Sequence, residues 1–183
     1  LLEGAQYGGS VSRYLELEKF NPKYLAAMNV KYVVTLANNP AIDVLKKYGY
    51  EEVFTENQVY IFENKTPIGR IYFVNQLRSL SGAELIRQLN NYFFDPQNEA
   101  LIIDNNDTRV FFSEDRGLDI QNIKANHLQF ETNSSSDQFL VVAQAYDKGW
   151  KSYINGKPKQ NLLVNGGITG ILLPVGENRI KMV

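Results

Sequence analysis

The chain has 183 residues, 44% of them hydrophobic, which is enough to bury a core in one large domain or in two small ones. Its 19 basic and 20 acidic residues give a formal net charge of −1 without any Lys/Arg-rich region, which argues against a nucleic-acid partner. The chain contains no cysteine, so disulfides, thiolate zinc sites and cysteine catalysis are excluded.

Apolar residues occur in short runs only. The longest, such as Phe139–Ala143 and Ile171–Val175, are far shorter than the ~18–20 residues of a membrane span. The chain opens at Leu1 without an initiator Met or a signal peptide and stops at Val183 within a predicted strand. We therefore expect both ends to lie inside a longer protein.

The first half of the chain mixes helix and strand signals. Asn21-Pro22 places an N-cap residue before a proline at the first helical position, which predicts a helix over Pro22–Met28. Ser81, with Glu84 three residues later, predicts a capping box that opens a helix over Ser81–Phe94. The other elements predicted here are a loop over Leu1–Ser12, a short helix over Arg13–Phe20, a strand over Lys31–Leu36, a helix over Ala41–Tyr48, an antiparallel pair Tyr50–Thr55 and Gln58–Glu63 around Glu56-Asn57, and strands over Ile68–Val74 and Ala100–Asp104.

The second half is predicted to be built from strands. From about Ile120 onward, helical periodicity disappears and short strands follow one another at regular intervals. Asn155-Gly156 is the dipeptide preferred in a two-residue type I′ turn, because both central residues need positive φ. Gly166-Gly167 and Pro174–Gly176 separate the following strands in the same way.

These patterns together predict an α+β fold. The first part, residues 1–116, would be a small mixed α/β subdomain. The second, residues 117–183, would be an antiparallel β-sandwich of jelly-roll-like form, which strands from the first half could complete. The two parts would join near Ser113–Gly117.

Few side chains offer catalytic or metal-binding chemistry. His127 is the only histidine, and the alternation of Asn126–Thr132 places it on the polar face of a strand, which favours a solvated side chain. Asp104–Asp107 and Asp115 have the spacing of a calcium loop, but Arg109 stands where an EF-hand needs glycine, which favours a polar turn. We therefore predict no catalytic residue, no metal ligand and no cofactor.

Two further patterns have a structural explanation. Gly166–Gly170 lies between predicted strands and opens no helix, so the usual phosphate-binding arrangement is not supported. The acidic pairs Glu51-Glu52 and Glu114-Asp115 are adjacent in sequence. Glycosidase carboxylates instead face each other across a substrate, about 5 Å or 6.5–9.5 Å apart, so charged edge or loop positions explain these pairs better.

Aromatic residues are the one feature with binding potential. They make up 12% of the chain, and Tyr146, Trp150 and Tyr153 cluster around one predicted turn. An aromatic ring on a rigid surface can stack on the apolar face of a sugar, which makes these three residues candidate glycan contacts. The alternative is structural: Trp150 plugs the end of the sandwich and is mostly buried. We favour the plug.

The segment around Trp150 resembles the C-terminal signature of the YfhO-type bacterial membrane proteins. That signature reads Tyr-Tyr-Pro-Gly-Trp-Lys-Ala-Tyr-Val-Asp-Gly-Lys, followed by Phe-Arg-Gly-Val-x-Val-Pro-Ala-Gly-x-His. The positions of this chain that agree with it are Tyr146, Gly149, Trp150, Lys151, Tyr153, Asn155, Gly156, Lys157, Gly170, Pro174 and Gly176. It departs at Lys148, Thr169 and Asn178, where the family has Pro, Arg and His. Met28–Thr35 and Arg70–Val74 resemble two further family segments.

The resemblance implies a multi-span membrane protein similar to lipid-linked-sugar glycosyltransferases. This chain would then be an extracytoplasmic domain at the cell membrane, itself soluble, between the last two membrane spans. The family's catalytic acidic residue would lie in an early loop outside it. The domain would be non-catalytic and would shape or recognise the acceptor glycan or cell-wall polymer. Its partners would be the transmembrane part of the same polypeptide and a glycan or lipid-linked sugar.

Two other functions stay open. A free-standing carbohydrate-binding module would use Tyr146, Trp150 and Tyr153 as its platform. A small extracellular enzyme of unrecognised type is the third reading, although the chain shows no nucleophile motif and no partner for its single histidine.

Overall fold

The computed structural model describes residues 21–103, 108–112 and 115–183. The predicted loop and helix within residues 1–20 lie outside the described residues, as does Asp104–Asp107. The helices are α1 (Pro22–Ala27), α2 (Ala41–Lys47) and α3 (Gly82–Leu89). The strands are β1 (Tyr32–Leu36), β2 (Tyr50–Glu56), β3 (Val59–Asn64), β4 (Ile71–Val74), β5 (Gln76–Leu80), β6 (Glu99–Ile103), β7 (Arg109–Val110), β8 (Arg116–Lys124), β9 (His127–Ser134), β10 (Gln138–Ala145), β11 (Ser152–Ile154), β12 (Lys157–Lys159), β13 (Leu162–Val164), β14 (Ile168–Leu173) and β15 (Gly176–Met182).

The described residues are therefore rich in β-structure, with few helices, and most strand pairs are antiparallel. β1, β3 and β2 form a small antiparallel sheet, and α2 covers one of its faces through a cluster that contains Leu45 and Phe62. The predicted hairpin between β2 and β3 is present, but positive φ falls on Asn57 and Gln58 rather than on Glu56-Asn57. The turn is one residue later because β2 continues to Glu56.

β5, α3 and β6 form the only parallel connection among the described strands. β5 pairs with β6 in parallel, and α3 joins them with the predicted capping box between Ser81 and Glu84. The helix ends at Leu89, so the prediction that it continues to Phe94 is wrong. The amide of Asn90 donates back to the Ile86 carbonyl, and the following turn carries Phe94 into a buried cluster. Burial of the Phe94 ring therefore stabilises the fold more than continuing the helix predicted from the apolar spacing would.

A four-stranded antiparallel sheet, ordered β13-β14-β10-β4, occupies the centre of the molecule. One face shares a core cluster with a five-stranded antiparallel sheet ordered β12-β11-β15-β9-β8. Leu140 and Ile171 from the central sheet and Phe130 and Ile180 from the outer sheet are fully buried there. Each such side chain stabilises the fold by about 1.5–3 kcal/mol relative to exposure.

The other face of the central sheet is buried as well. Phe139 and Val141 on β10 pack there with Leu77 on β5 and Ala100 on β6. Because β10 is covered on both faces, it is hydrophobic over its whole centre instead of alternating. β4, predicted as a longer strand over Ile68–Val74, begins at Ile71 and pairs with β10, so the first half of the chain contributes a strand to this sheet. The subdomain boundary near Ser113–Gly117 stays a prediction.

The Asn155-Gly156 turn is confirmed. φ is +51° at Asn155 and +78° at Gly156, and the turn closes the hairpin between β11 and β12. The Asn155 side chain also holds β15, since its amide donates to the Glu177 carbonyl at 3.1 Å and its oxygen accepts from the Arg179 N–H at 2.8 Å. One short turn thus fixes three strands.

Gly156→Val is expected to lower the free energy of unfolding by about 1–3 kcal/mol, because a β-branched residue is strained at positive φ. A Cβ at this position would meet no atom within 4 Å, so backbone strain alone accounts for the effect. Urea denaturation measures it. Lys157→Val places the same side chain on the exposed neighbouring strand residue and should be nearly neutral. Equal stability of the two variants would contradict the argument.

Candidate functional site

The three aromatic residues predicted as glycan contacts line one open groove. Its volume is about 390 Å³, and it lies between the Asp147–Trp150 turn and the hairpin of β11 and β12. The lining residues are Tyr146, Asp147, Lys148, Trp150, Lys151, Ser152, Tyr153, Pro158, Lys159, Gln160 and Asn161. We call it the aromatic groove.

Trp150 connects the aromatic groove to the core. Its side chain packs against the cluster between the central and outer sheets. Trp150 is mostly buried, as expected, and the ring both packs on the core and lines the groove. The backbone N–H of Trp150 donates to the Asp147 carbonyl at 3.2 Å, and the Trp150 backbone carbonyl accepts from the Asn161 side-chain amide at 3.1 Å. Both edges of the groove thus hold Trp150 in place.

The turn before Trp150 brings Gly149 close to the Asp147 carboxylate. The Asp147 carboxylate accepts a hydrogen bond from the Gly149 N–H at 2.6 Å. A Cβ at position 149 would lie 2.8 Å from the same carboxylate oxygen, so a larger residue would push the carboxylate aside. The N–H of Tyr146 donates to the Gly167 carbonyl at 2.9 Å, which ties this turn to the one between β13 and β14.

Tyr153 lies at the other side of the groove. It is the middle residue of β11, so it faces outward while Ser152 and Ile154 are buried on the opposite face. Tyr153 also lines a neighbouring groove of about 430 Å³ on the outer sheet, together with Arg179 and Lys181. The two grooves therefore meet at Tyr153.

Sequence reasoning missed the second wall of the aromatic groove, formed by residues 158–161. The predicted turn could have revealed this wall, because a two-residue turn at Asn155-Gly156 fixes the hairpin register and places Pro158 opposite Tyr153. Asn161 is positioned by Ser152, whose hydroxyl donates to the Asn161 side-chain oxygen. The exposed Gln160 adds an amide to the same wall. Three lysines and one aspartate line the groove, so its charge is net positive.

The other sequence candidates lie elsewhere. His127 is half-buried at the start of β9, paired with Lys124 across a hairpin, and it does not line the groove. Glu51 and Glu52 are exposed and lie within salt-bridge distance of lysines. The described residues contain no group of three or more potential metal ligands. Asp104–Asp107, part of the predicted calcium-loop spacing, lies outside the described residues.

Gly166–Gly170 begins in a tight turn. φ is +50° at Asn165 and +73° at Gly166, and the Asn165 side chain accepts from the Leu101 N–H at 2.8 Å. The segment thus holds β13 and β14 against β6. Thr169, one of the departures from the family signature, is buried, and its hydroxyl donates to the Gln144 carbonyl.

The aromatic groove and the strands that build it lie in the part of the chain that resembles a known family. Residues 108–183 match the model of the bacterial membrane protein YfhO. The family resemblance predicted from the sequence is confirmed over these residues. No curated protein and no solved structure matches the chain.

The YfhO match contains every residue that lines the aromatic groove. Met28–Thr35 and Arg70–Val74, which also resemble family segments, lie before it. The match associates the chain with a membrane protein. Within the described parts of the chain, no helix has the length and apolar character required to cross a membrane.

Proposed function

We propose that the chain is a non-catalytic, extracytoplasmic part of a multi-span bacterial membrane protein similar to lipid-linked-sugar glycosyltransferases. In this proposal the aromatic groove recognises the acceptor, a glycan or a cell-wall polymer. The observation that carries the proposal is the convergence of Tyr146, Trp150 and Tyr153 on one open groove within the YfhO match.

The groove has the chemistry that sugar recognition requires. Ring faces of Trp and Tyr stack on the C–H faces of a pyranose while their polar edges stay hydrated. The Gln160 amide and the lysine ammonium groups are donors that suit hydroxyl or acidic substituents. An open groove, rather than a closed pocket, suits a polymer that extends beyond the site in both directions.

The scaffold suits a recognition surface. The two sheets that share the core around Leu140 and Phe130 support the sandwich predicted for this half of the chain. The aromatic groove lies at one end of these sheets, where Lys151 exchanges backbone hydrogen bonds with Val183. A rigid scaffold of this kind limits the entropy lost when a ligand binds.

Tyr153→Ala is expected to weaken oligosaccharide binding about five- to tenfold, because one stacking contact is lost from an otherwise unchanged groove. Isothermal titration calorimetry with chitohexaose and maltohexaose as probes measures the change. Tyr32→Ala is the matched control, since Tyr32 is 51% exposed on the small N-terminal sheet. Binding that Tyr32→Ala weakens as much as Tyr153→Ala would contradict the assignment.

The non-catalytic role is tested separately. The chain alone is incubated with a lipid-linked sugar donor and the oligosaccharide, and product formation is followed by mass spectrometry. We expect neither transfer nor hydrolysis. Turnover by the isolated chain would overturn this part of the proposal while leaving glycan recognition standing.

A free-standing carbohydrate-binding module would use the same aromatic groove. The match to a membrane-protein family favours the first proposal. The gene decides between them: apolar segments of about 20 residues on both sides of the chain support a membrane protein, and a short secreted product supports the module.

A further inference from the structure

A third groove lies at the end of the outer sheet opposite the aromatic groove. It has a volume of about 480 Å³, and we call it the Arg116 groove. Arg116 pairs with Ser134, and Ser134 with Gly176, at the end of the outer sheet opposite Val183. The residues that line the groove are Asn75, Gln76, Asn98, Val110, Phe111, Phe112 and Arg116.

Arg116 is held in this groove without a carboxylate partner among the described residues. Its Nη2 donates to the Phe111 carbonyl at 3.2 Å, and its guanidinium carbon lies 5.8 Å from the centre of the Phe73 ring. Its Nε is buried and has no hydrogen-bond partner in the described part of the chain. The side chain is thus fixed by the fold while part of its donor capacity is unused.

Other arginines of the chain show the contrast. Arg78 lies 2.6 Å from Glu99, and Arg179 lies 3.1 Å from Glu131. Burial of Arg116 lowers the pKa of its guanidinium, which reflects the cost of removing that charge from water. No opposite charge among the described residues pairs with this partly desolvated cation, which costs free energy, and an anionic ligand would recover it.

The rim of the groove presents an aromatic ring to solvent. The Phe112 side chain is 80% exposed, although its backbone is fixed by the Ser136 hydroxyl, which donates to the Phe112 carbonyl. Phe111, next to it, is buried, and its N–H donates to the Asn75 carbonyl at 2.7 Å. The backbones of Phe111 and Phe112 are therefore anchored, while the Phe112 ring remains outside the core.

Amide side chains form the remaining wall. The Asn75 amide donates to the Asn98 side-chain oxygen at 2.6 Å, which orients both groups, and both residues are exposed. Gln76, partly exposed, lies beside them. Amides of this kind offer donors and acceptors to ligand hydroxyls. Among the described residues that line the groove, Arg116 is the one that carries a charge.

We infer that the Arg116 groove binds an acidic sugar, a ring that carries a carboxylate or phosphate group. Arg116 pairs with the oxyanion, the Phe112 ring stacks on the apolar face of the sugar, and the amides of Asn75, Gln76 and Asn98 bind its hydroxyls. This site is separate from the aromatic groove and does not depend on the function proposed for that groove.

Amide chemical-shift titrations of the chain with glucuronate, glucose-6-phosphate and glucose test the inference. We expect both acids to shift resonances of the groove residues at millimolar concentration, and glucose to bind at least about tenfold more weakly because it lacks the charge. The two acids distinguish the source of the oxyanion: the one that binds more tightly identifies carboxylate or phosphate as preferred.

Variants distinguish binding in the Arg116 groove from adventitious binding elsewhere on the chain. Arg116→Gln and Phe112→Ala should each weaken binding of the preferred acid about tenfold or more, whereas Arg179→Gln, at an exposed and paired arginine, should leave it unchanged. Phe112→Ala keeps the test valid if Arg116→Gln fails to fold, because the Phe112 side chain is exposed. Absence of binding by both acids, equal binding of glucose, or unchanged binding in Phe112→Ala would overturn the inference.

Discussion

Gly170→Ala is expected to lower the free energy of unfolding by about 3 kcal/mol, because the new methyl group has no space. A Cβ at position 170 would lie 2.6 Å from Cζ and 2.8 Å from Cε1 of Phe139, and 3.0 Å from Cγ1 of Val164. Phe139 cannot withdraw easily, since it is fully buried and its ring lies 5.9 Å from the Phe111 ring. Chemical denaturation measures the loss.

Two further variants make this prediction specific. Gly117→Ala is the matched control: Gly117 also lies in a strand, but a Cβ there would meet its nearest atoms at 3.8 Å, an ordinary contact. We expect that variant to be close to neutral. Phe139→Leu should destabilise the protein less in the Gly170→Ala background than alone, because the smaller leucine leaves room for the new methyl group at position 170. A Gly170→Ala protein as stable as the wild type would contradict the packing described for β14.

Trp150→Ala is expected to have two effects at once, since the ring belongs both to the core and to the aromatic groove. Loss of packing should lower the free energy of unfolding by about 2–4 kcal/mol, somewhat less than for a fully buried tryptophan. Oligosaccharide binding should also be lost. Stability is followed by circular dichroism, because the variant has no tryptophan to report on unfolding.

Trp150→Phe separates the two effects. Phenylalanine retains an aromatic face but fills less volume. Trp150→Phe should therefore still lose stability, whereas its oligosaccharide binding should weaken less than that of Trp150→Ala. Phe112→Ala, at an aromatic residue that is 80% exposed, should leave stability almost unchanged and serves as the control for loss of a ring. A Trp150→Ala protein of full stability would show that the ring does not support the core.

Local signals were enough to predict the Asn155-Gly156 turn and the starts of α1 and α3. Asn155-Gly156 needs positive φ, and Asn21 caps α1 by accepting from the Lys23 N–H, whichever way the rest of the chain folds. The cap at Ser81 is equally local. The signature around Trp150 predicted the family resemblance that the family model also finds over residues 108–183. These features depend on neighbours within a few residues, which a single sequence contains.

Features that depend on distant contacts were not predicted. The end of α3 is set by burial of Phe94 in a cluster with Tyr24 and Leu101, which are far apart in sequence. The Arg116 groove joins residues 75–76 and 98 to residues 110–116, and no periodicity connects those segments. The double position of Trp150, packed on the core and lining the groove, depends likewise on how the two sheets meet. Predicting such features requires the strand order, which the sequence patterns did not provide.

The most direct test of the proposed function uses Trp150 as its own reporter. It is the only tryptophan in the chain, so its fluorescence reports on the aromatic groove alone. Chitohexaose and maltohexaose are titrated into the wild type, Tyr153→Ala and Tyr32→Ala. The account predicts a saturable change in emission for the wild type and Tyr32→Ala, and a weaker one for Tyr153→Ala. Unchanged emission with both oligosaccharides at millimolar concentration, from a folded protein, would contradict it.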